Sequence, residues 1–131
     1  PDVAIVLESD IAGDVPGIRP EESIIKLGQG PTVVFYDARM IPNLHLRDFV
    51  LETAQAEGIP VQLSSIEGGA TDGGIIHLHG LGVPTIVIGV AARHIHSHSS
   101  IIHRDDYDHA VNLLVALVKK LDQDTVNRLT E

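Results

Sequence analysis

Residues Asp2 to Glu8 read Asp-Val-Ala-Ile-Val-Leu-Glu, an aliphatic run with no alternation between apolar and polar positions. A strand apolar at every position has to be covered on both faces, which is how strands sit inside a layered α/β sheet. Two more segments repeat the pattern: Thr32-Val-Val-Phe-Tyr36 and Thr85-Ile-Val-Ile-Gly-Val90. Between them, Leu46, Phe49, Val50, Thr53 and Ala54 recur at helical spacing, after Asn43 as a plausible N-cap and before Gly58 as a C′ residue. Pro60 to Ile66 alternates as a further strand. Strands alternating with helices predict an α/β fold, a largely parallel sheet with helices on both faces.

The remaining segments fill in this frame. Residues 9–31 are rich in Gly, Pro and acids, and a stretch that long without periodicity is often functional. Within it, Ser23 to Leu27 has the character of a short strand. Thr71 to about Gly80 reads as a helix entered through the turn Gly68-Gly69-Ala70, with Thr71 or Asp72 as its cap. Asp105 is placed to cap the last long helix, whose expected buried stripe is Tyr107, Ala110, Val111, Leu114, Leu117, Val118 and Leu121. The opening strand starts at once, with no preceding Met, so the expectation is a chain that forms the C-terminal part of something longer.

Composition narrows the function. The formal net charge of -9 leaves no basic patch to neutralise phosphates, which argues against nucleic acid and against an anionic membrane surface. No apolar run is long enough to span a bilayer. The chain has no cysteine, so neither a disulfide framework nor a thiolate metal site can form. That favours a reducing, cytoplasmic setting. Any zinc would need imidazole and carboxylate ligands.

In open α/β sheets, ligands bind outside the carboxyl ends of the strands. Glu8 ends the first strand, Asp72 follows the strand at 60–66, and His96 follows the strand at 85–90. The expectation is that these polar groups converge at one edge of the sheet. Glu is rarely buried at a strand end unless paired, and a metal would pair it, although a strand that simply surfaces there leaves the carboxylate wet. Asp10 and Asp14 are competing ligands, and Asp14-Val-Pro-Gly is also good turn chemistry. His94, His96 and His98 would share a face if their segment is extended, and spacing alone does not choose among them. Gly68 to Gly74 lacks the Lys-Ser/Thr of a phosphate loop and fits a tight strand-to-helix turn better. Its backbone N–H groups would serve as caps or hold a substrate carboxylate or developing oxyanion. His77 and His79 face different directions on a helix, one packed and one exposed. His45, His103 and His109 read as surface residues. No cysteine or nucleophile-elbow serine supports covalent catalysis.

Taken together, Gly68 to His77, Gly82-Val-Pro-Thr-Ile-Val-Ile-Gly-Val90 and Arg93-His-Ile-His-Ser97 resemble the co-catalytic metallo-aminopeptidases of the TET, glutamyl-aminopeptidase and FrvX-like family, some of which have been labelled endoglucanase M. The resemblance covers essentially the whole chain. It implies a zinc-peptidase-like catalytic domain of which residues 1–131 form the C-terminal part, without the upstream half and its inserted β-domain. It also implies two divalent metal ions, zinc or cobalt with manganese as a third candidate. Glu8 would hold one, at a position where the family usually has Asp, and His96 the other. Thr71 and Asp72 would line the substrate pocket. The other ligands and the general-base Glu would lie upstream, so no catalytic base is expected in this chain, which alone should be inactive. The implied reaction is hydrolysis of N-terminal residues from peptides by a metal-activated water, in a large homo-oligomer.

Two rivals fit less well. A glycoside hydrolase would need paired carboxylates and usually aromatic platforms, but aromatics are 3% and there is no Trp. A non-catalytic α/β binding or assembly module remains open, because the base and most ligands are missing.

Overall fold

The computed structural model describes residues 1–130. The chain runs β1 (Ala4–Ile11), β2 (Thr32–Asp37), α1 (Leu44–Ala56), β3 (Gln62–Ile66), α2 (Gly73–Ile76), β4 (Thr85–Arg93), β5 (Ile101–Ile102), α3 (Arg104–Lys120) and α4 (Gln123–Arg128). The long strands are ordered β1-β4-β2-β3, and β5 pairs with β4. β1 lies parallel to β4 and β2 parallel to β3, but β2 runs antiparallel to β4. The sheet is therefore mixed rather than uniformly parallel: two parallel pairs meet in opposite senses along the β2–β4 seam.

β4 is buried as its sequence suggests, whereas β1, expected to be covered on both faces, is half-buried at Ala4, Ile5 and Val6 and exposed at Leu7 and Ile11. Ile86, Val87 and Ile88 of β4 alternate between two cores. Ile86 and Ile88 join Val33, Leu46, Val50, Ala54, Leu113, Leu117 and Leu129 beneath α1 and α3. Val87 joins Val34 and Met40 on the opposite face, with Val6 and Ile66 packed against them. Helices do cover both faces, but unequally, because α2 is a single turn.

Asn43 caps α1 as expected: its Oδ1 accepts from the Leu46 N–H at 2.8 Å, while its Nδ2 donates to the Leu129 carbonyl. Gly58 takes the left-handed conformation, φ 66°, that ends the helix. Other expectations need correction. Residues 23–27 form no strand, and the helix expected over 71–80 is confined to Gly73–Ile76. Neither Thr71 nor Asp72 caps it through a side chain. His103, not Asp105, caps α3, its Nδ1 accepting from the Asp105 N–H, and Asp105 and Asp106 fill the first turn. The buried face of α3 is Asp106, Leu113 and Leu117, whereas Tyr107, Val111 and Val118 of the expected stripe are exposed. This helix is apolar on two flanks, so periodicity alone could not choose between them.

Candidate functional site

The mixed sheet changes how the strand ends are distributed. β1 and β4 end at one edge, and β2 and β3 end at the other, where β1 and β4 begin. Glu8 and His96 thus belong to the first edge, while Thr71 and Asp72 follow β3 at the second. The expected convergence of all three segments on one edge does not occur.

Glu8 is half-buried and pairs with Gly89, three residues before β1 ends. Its side chain shares the face of Val6 and Val87, because alternate residues of a strand point the same way. α2 returns over this face: a Cβ on Gly73 would lie 3.1 Å from Val87 Cγ2. The start of α2 and Glu8 therefore share one side of the sheet although β3 ends at the far edge.

β4 continues to Arg93, four residues past Gly89 and so roughly 13 Å along the strand. The chain then turns. His94 and His96 both take left-handed backbone, φ 59° and 62°, a conformation that costs non-glycine residues energy and gathers at functional positions. The extended arrangement with three imidazoles on one face is not what forms. The Ser97 hydroxyl donates to the His94 carbonyl at 2.6 Å, and the Ser100 hydroxyl donates to it at 3.2 Å, fixing the turn. His94, His96 and His98 are all exposed.

The competing acids have other duties. Asp14 takes a two-pronged ion pair from Arg93, with Nη2 at 2.6 Å and Nε at 3.0 Å. It also accepts from the Leu27 N–H, and the Arg93 bonds hold its carboxyl below the usual carboxylate range. This pair ties the loop after β1 to the end of β4, directly before the histidine turn. Asp10 is buried; its Oδ1 accepts from the Ile11 N–H, while its Oδ2 has no partner. Thr32 Oγ1 is also buried and unpartnered, and it lies 2.5 Å from where a Cβ on Gly89 would stand, with Asp10 Cβ 3.3 Å from that same point. Two orphaned polar atoms thus flank Gly89 beside Glu8. Among the described residues, no three His, Asp or Glu side chains gather into a group able to hold a metal ion.

At the other edge, Thr71 donates both its N–H, at 3.0 Å, and its hydroxyl, at 2.7 Å, to Asp37 Oδ2. Asp37 Oδ1 accepts from the Arg39 N–H. Burial raises the Asp37 carboxyl, but the Thr71 hydroxyl and the N–H groups of Arg39, Thr71 and Met40 outweigh it and hold the carboxyl below its ordinary value. The Thr71 hydroxyl is therefore a structural tie between β2 and the α2 entry, and Asp72 is left exposed beside it. Sequence reading overlooked Asp37, although an Asp closing an aliphatic strand is the same signal that singled out Glu8. It also overlooked Asp106, which is buried and accepts from the N–H groups of Gly28 and Gly30, each at 2.8 Å. That contact folds the loop between β1 and β2 onto the head of α3. His77 is half-buried with Nδ1 2.9 Å from the Gly73 carbonyl and His79 is exposed, but both lie beyond the last residue of α2 rather than on a helix.

Comparison with known proteins places this geometry. The profile of the family described as M42 glutamyl aminopeptidase matches residues 1–113. The chain is 36% identical over its whole length to FrvX of Escherichia coli K12, which carries a provisional aminopeptidase label, and it covers 37% of that protein. The crystal structure of the TET aminopeptidase from Thaumarchaeota archaeon SCGC AB-539-E09 superposes with a TM-score of 0.96 at 50% identity, covering 98% of this chain and 36% of that one. The PhTET1-12s structure, described as a dodecamer, superposes with a TM-score of 0.78 at 26% identity, covering 92% of this chain and 34% of that one. The chain thus spans little more than a third of the length of these relatives.

Proposed function

From its membership of the M42 glutamyl aminopeptidase family, to which this chain belongs, we propose that residues 1–131 are the C-terminal part of the catalytic domain of a metal-dependent aminopeptidase. The observation that carries the reading is that one family match, over residues 1–113, takes in Glu8 on β1 and His96 just after β4, two strands that lie side by side and parallel.

The donor types suit divalent cations: a carboxylate oxygen from Glu8 and an imidazole nitrogen from His96 are both used in hydrolytic zinc sites. Two residues do not make a complete site, and among the described residues no three His, Asp or Glu side chains gather into a group able to hold a metal ion. Each would supply one ligand to a pair of divalent ions, zinc, cobalt or manganese, with the remaining ligands and the general base contributed by the upstream half. Bound there, such ions supply Lewis acidity at a scissile carbonyl and lower the pKa of water. The chain's own residues position these groups. Arg93 and Asp14 lock the end of β4 to the loop after β1, and the Ser97 and Ser100 hydroxyls hold the turn that presents His96. Thr71 fixes the entry to α2 through Asp37, leaving Asp72 exposed for an N-terminal peptide substrate.

The oligomer we propose is a large assembly of identical chains, supported by the dodecamer described for one relative. Among the described residues, no helix is long and apolar enough to cross a membrane. With no cysteine to oxidise, we propose a cytoplasmic setting.

The test uses the full-length protein. Metal content is measured and hydrolysis of Leu-, Glu- and Lys-p-nitroanilides is followed before chelation, after it, and after adding zinc or cobalt back. Activity lost and restored with metal is expected. A metal-replete protein inert to all three substrates would favour a non-catalytic module.

A further inference from the structure

Glu8 stands in a row that crosses three strands on the face of the sheet opposite α1 and α3. Glu8 of β1 pairs with Gly89 of β4, and Gly89 pairs with Thr32 of β2. Paired residues share a face, so the row reads carboxylate, no side chain, hydroxyl. The neighbouring row, Val6, Val87 and Val34, is apolar and packed. Asp10 lies two residues past Glu8, hence on the same face, and pairs with Ala91. Ala12, Ala91 and Ile25 cluster beside it. Gly89 thus leaves a gap one side chain wide between β1 and β2. A Cβ placed there would lie 2.5 Å from Thr32 Oγ1, 3.3 Å from Asp10 Cβ and 3.6 Å from the Glu8 carbonyl oxygen.

The two polar groups at this gap are closed in. Asp10 is 3% exposed and Thr32 0%. Asp10 Oδ1 accepts from the Ile11 N–H at 2.8 Å, but Asp10 Oδ2 and Thr32 Oγ1 meet no protein partner. Leaving a buried polar atom unpaired costs free energy, and folded proteins satisfy nearly all of them. A residue from outside this chain would have to displace the chain's own residues to reach either atom. For the same reason Asp10 is not open to an arriving ion, so it does not compete with Glu8 as a ligand. The partner that fits is small and enclosed with them. A single water has the bonds it needs there: it accepts from the Thr32 hydroxyl and donates to Asp10 Oδ2, with the Glu8 carbonyl bordering the same spot.

We infer that Asp10 and Thr32 are positioning residues for Glu8, joined through one buried water across Gly89. Within this chain the ladder of β1 runs to β4 alone, so backbone pairing does not tie Glu8 to β2. The bridge from Asp10 to Thr32 supplies that tie, at the row in which Glu8 stands. A glutamate has a long arm, and a ligand held about an ångström off its place binds a metal poorly unless the groups behind it are fixed. Loss of such outer partners changes metal affinity by about 10- to 100-fold. The inference rests on the reading of Glu8 as a metal ligand and adds the residues that hold it.

The test uses the full-length protein and reads metal binding rather than turnover. Zinc affinity is measured against a chromophoric chelator, and the visible bands of the cobalt-loaded protein are recorded. The variants are Glu8→Gln, Asp10→Asn, Thr32→Val and Thr32→Ser, each checked for folding by circular dichroism. Asp10→Asn and Thr32→Val should each weaken zinc binding by about 10- to 100-fold and alter the cobalt bands. Thr32→Ser keeps the hydroxyl and should retain both. The double variant Asp10→Asn, Thr32→Val should lose no more than the larger single loss, because both changes break one bridge. Unchanged zinc affinity in both single variants, beside lost affinity in Glu8→Gln, overturns the inference and leaves the metal assignment standing. Unchanged affinity in Glu8→Gln overturns the assignment of Glu8, and the inference with it. A crystal structure of the unaltered protein reads the bridge without any substitution. A water within about 3.2 Å of both Asp10 Oδ2 and Thr32 Oγ1 is expected, and a side chain in its place overturns the inference.

Discussion

Asp106→Ala removes the contact that ties the 12–31 loop to the head of α3, and its size can be worked from the geometry. Both carboxylate oxygens are engaged, Oδ2 by Gly28 N–H and Oδ1 by Gly30 N–H, each at 2.8 Å, with Asp106 only 1% exposed. A hydrogen bond to a charged group contributes about 1.5 kcal/mol or more, so losing two costs roughly 3 kcal/mol. Asp106→Asn keeps one carbonyl acceptor but turns an NH2 group toward the other N–H, so about half of that is lost. The lost energy falls on the 26–30 end of a loop that is also tied by Lys26 N–H to Gln62 Oε1, by Gln62 Nε2 to the Lys26 and Gly30 carbonyls, and by Leu27 N–H to Asp14. Its opening equilibrium should rise by about 150-fold for Asp106→Ala and by about 10-fold for Asp106→Asn, at 1.4 kcal/mol per decade. Limited trypsinolysis after Lys26 reads this opening, since cleavage tracks the open population when reclosing is fast. Cleavage rates of both variants equal to that of the parent would refute the assignment of Asp106 as the clasp.

The other predictions concern the site. Gly89→Ala should lower stability by about 1–3 kcal/mol, because its Cβ would sit 2.5 Å from Thr32 Oγ1 in a central strand; adding Thr32→Ala should recover part of the loss in a urea midpoint, and purely additive effects would contradict the clash. The Asp37 carboxyl is held below its ordinary 3.8, so its stabilising bonds are fully present above that pH and are lost as pH falls through the lower folded value. Asp37→Asn should therefore flatten the acid limb of a stability–pH profile, and an unchanged limb would argue against that role. Thr71→Ser should keep the tie to Asp37, while Thr71→Val should weaken it by about 1 kcal/mol, checked by thermal unfolding. In the full-length protein, His96→Ala should abolish most peptidase activity without changing the circular dichroism spectrum. Near-normal turnover with full metal content would move the assignment to His94.

Several features were legible from sequence because they depend on neighbours along the chain. The aliphatic runs became β1, β2 and β4, Asn43 capped α1, and Gly58 ended it, since backbone sterics and local hydrogen bonding decide such features. Glu8 and His96 could be named as candidates from their residue types alone, but β1 runs three residues past Glu8, so the strand end expected there lies further along. What the sequence did not settle was direction and choice of face. β2 runs against β4, which separates the carboxyl ends of β3 and β4 and moves Thr71 and Asp72 off the edge shared by Glu8 and His96. Strand sense is set by which long-range pairing and crossover bury the most surface, and no window of neighbouring residues contains that information. α3 has apolar residues on two flanks, so only its packing against Ile86 and Ile88 identified Leu113 and Leu117 as core and left Val111 and Val118 outside. Asp106 and Asp37 are acids like many others in a chain of net charge -9. Their roles arise from N–H groups 76 and 34 positions away, and only the folded chain brings those groups within reach.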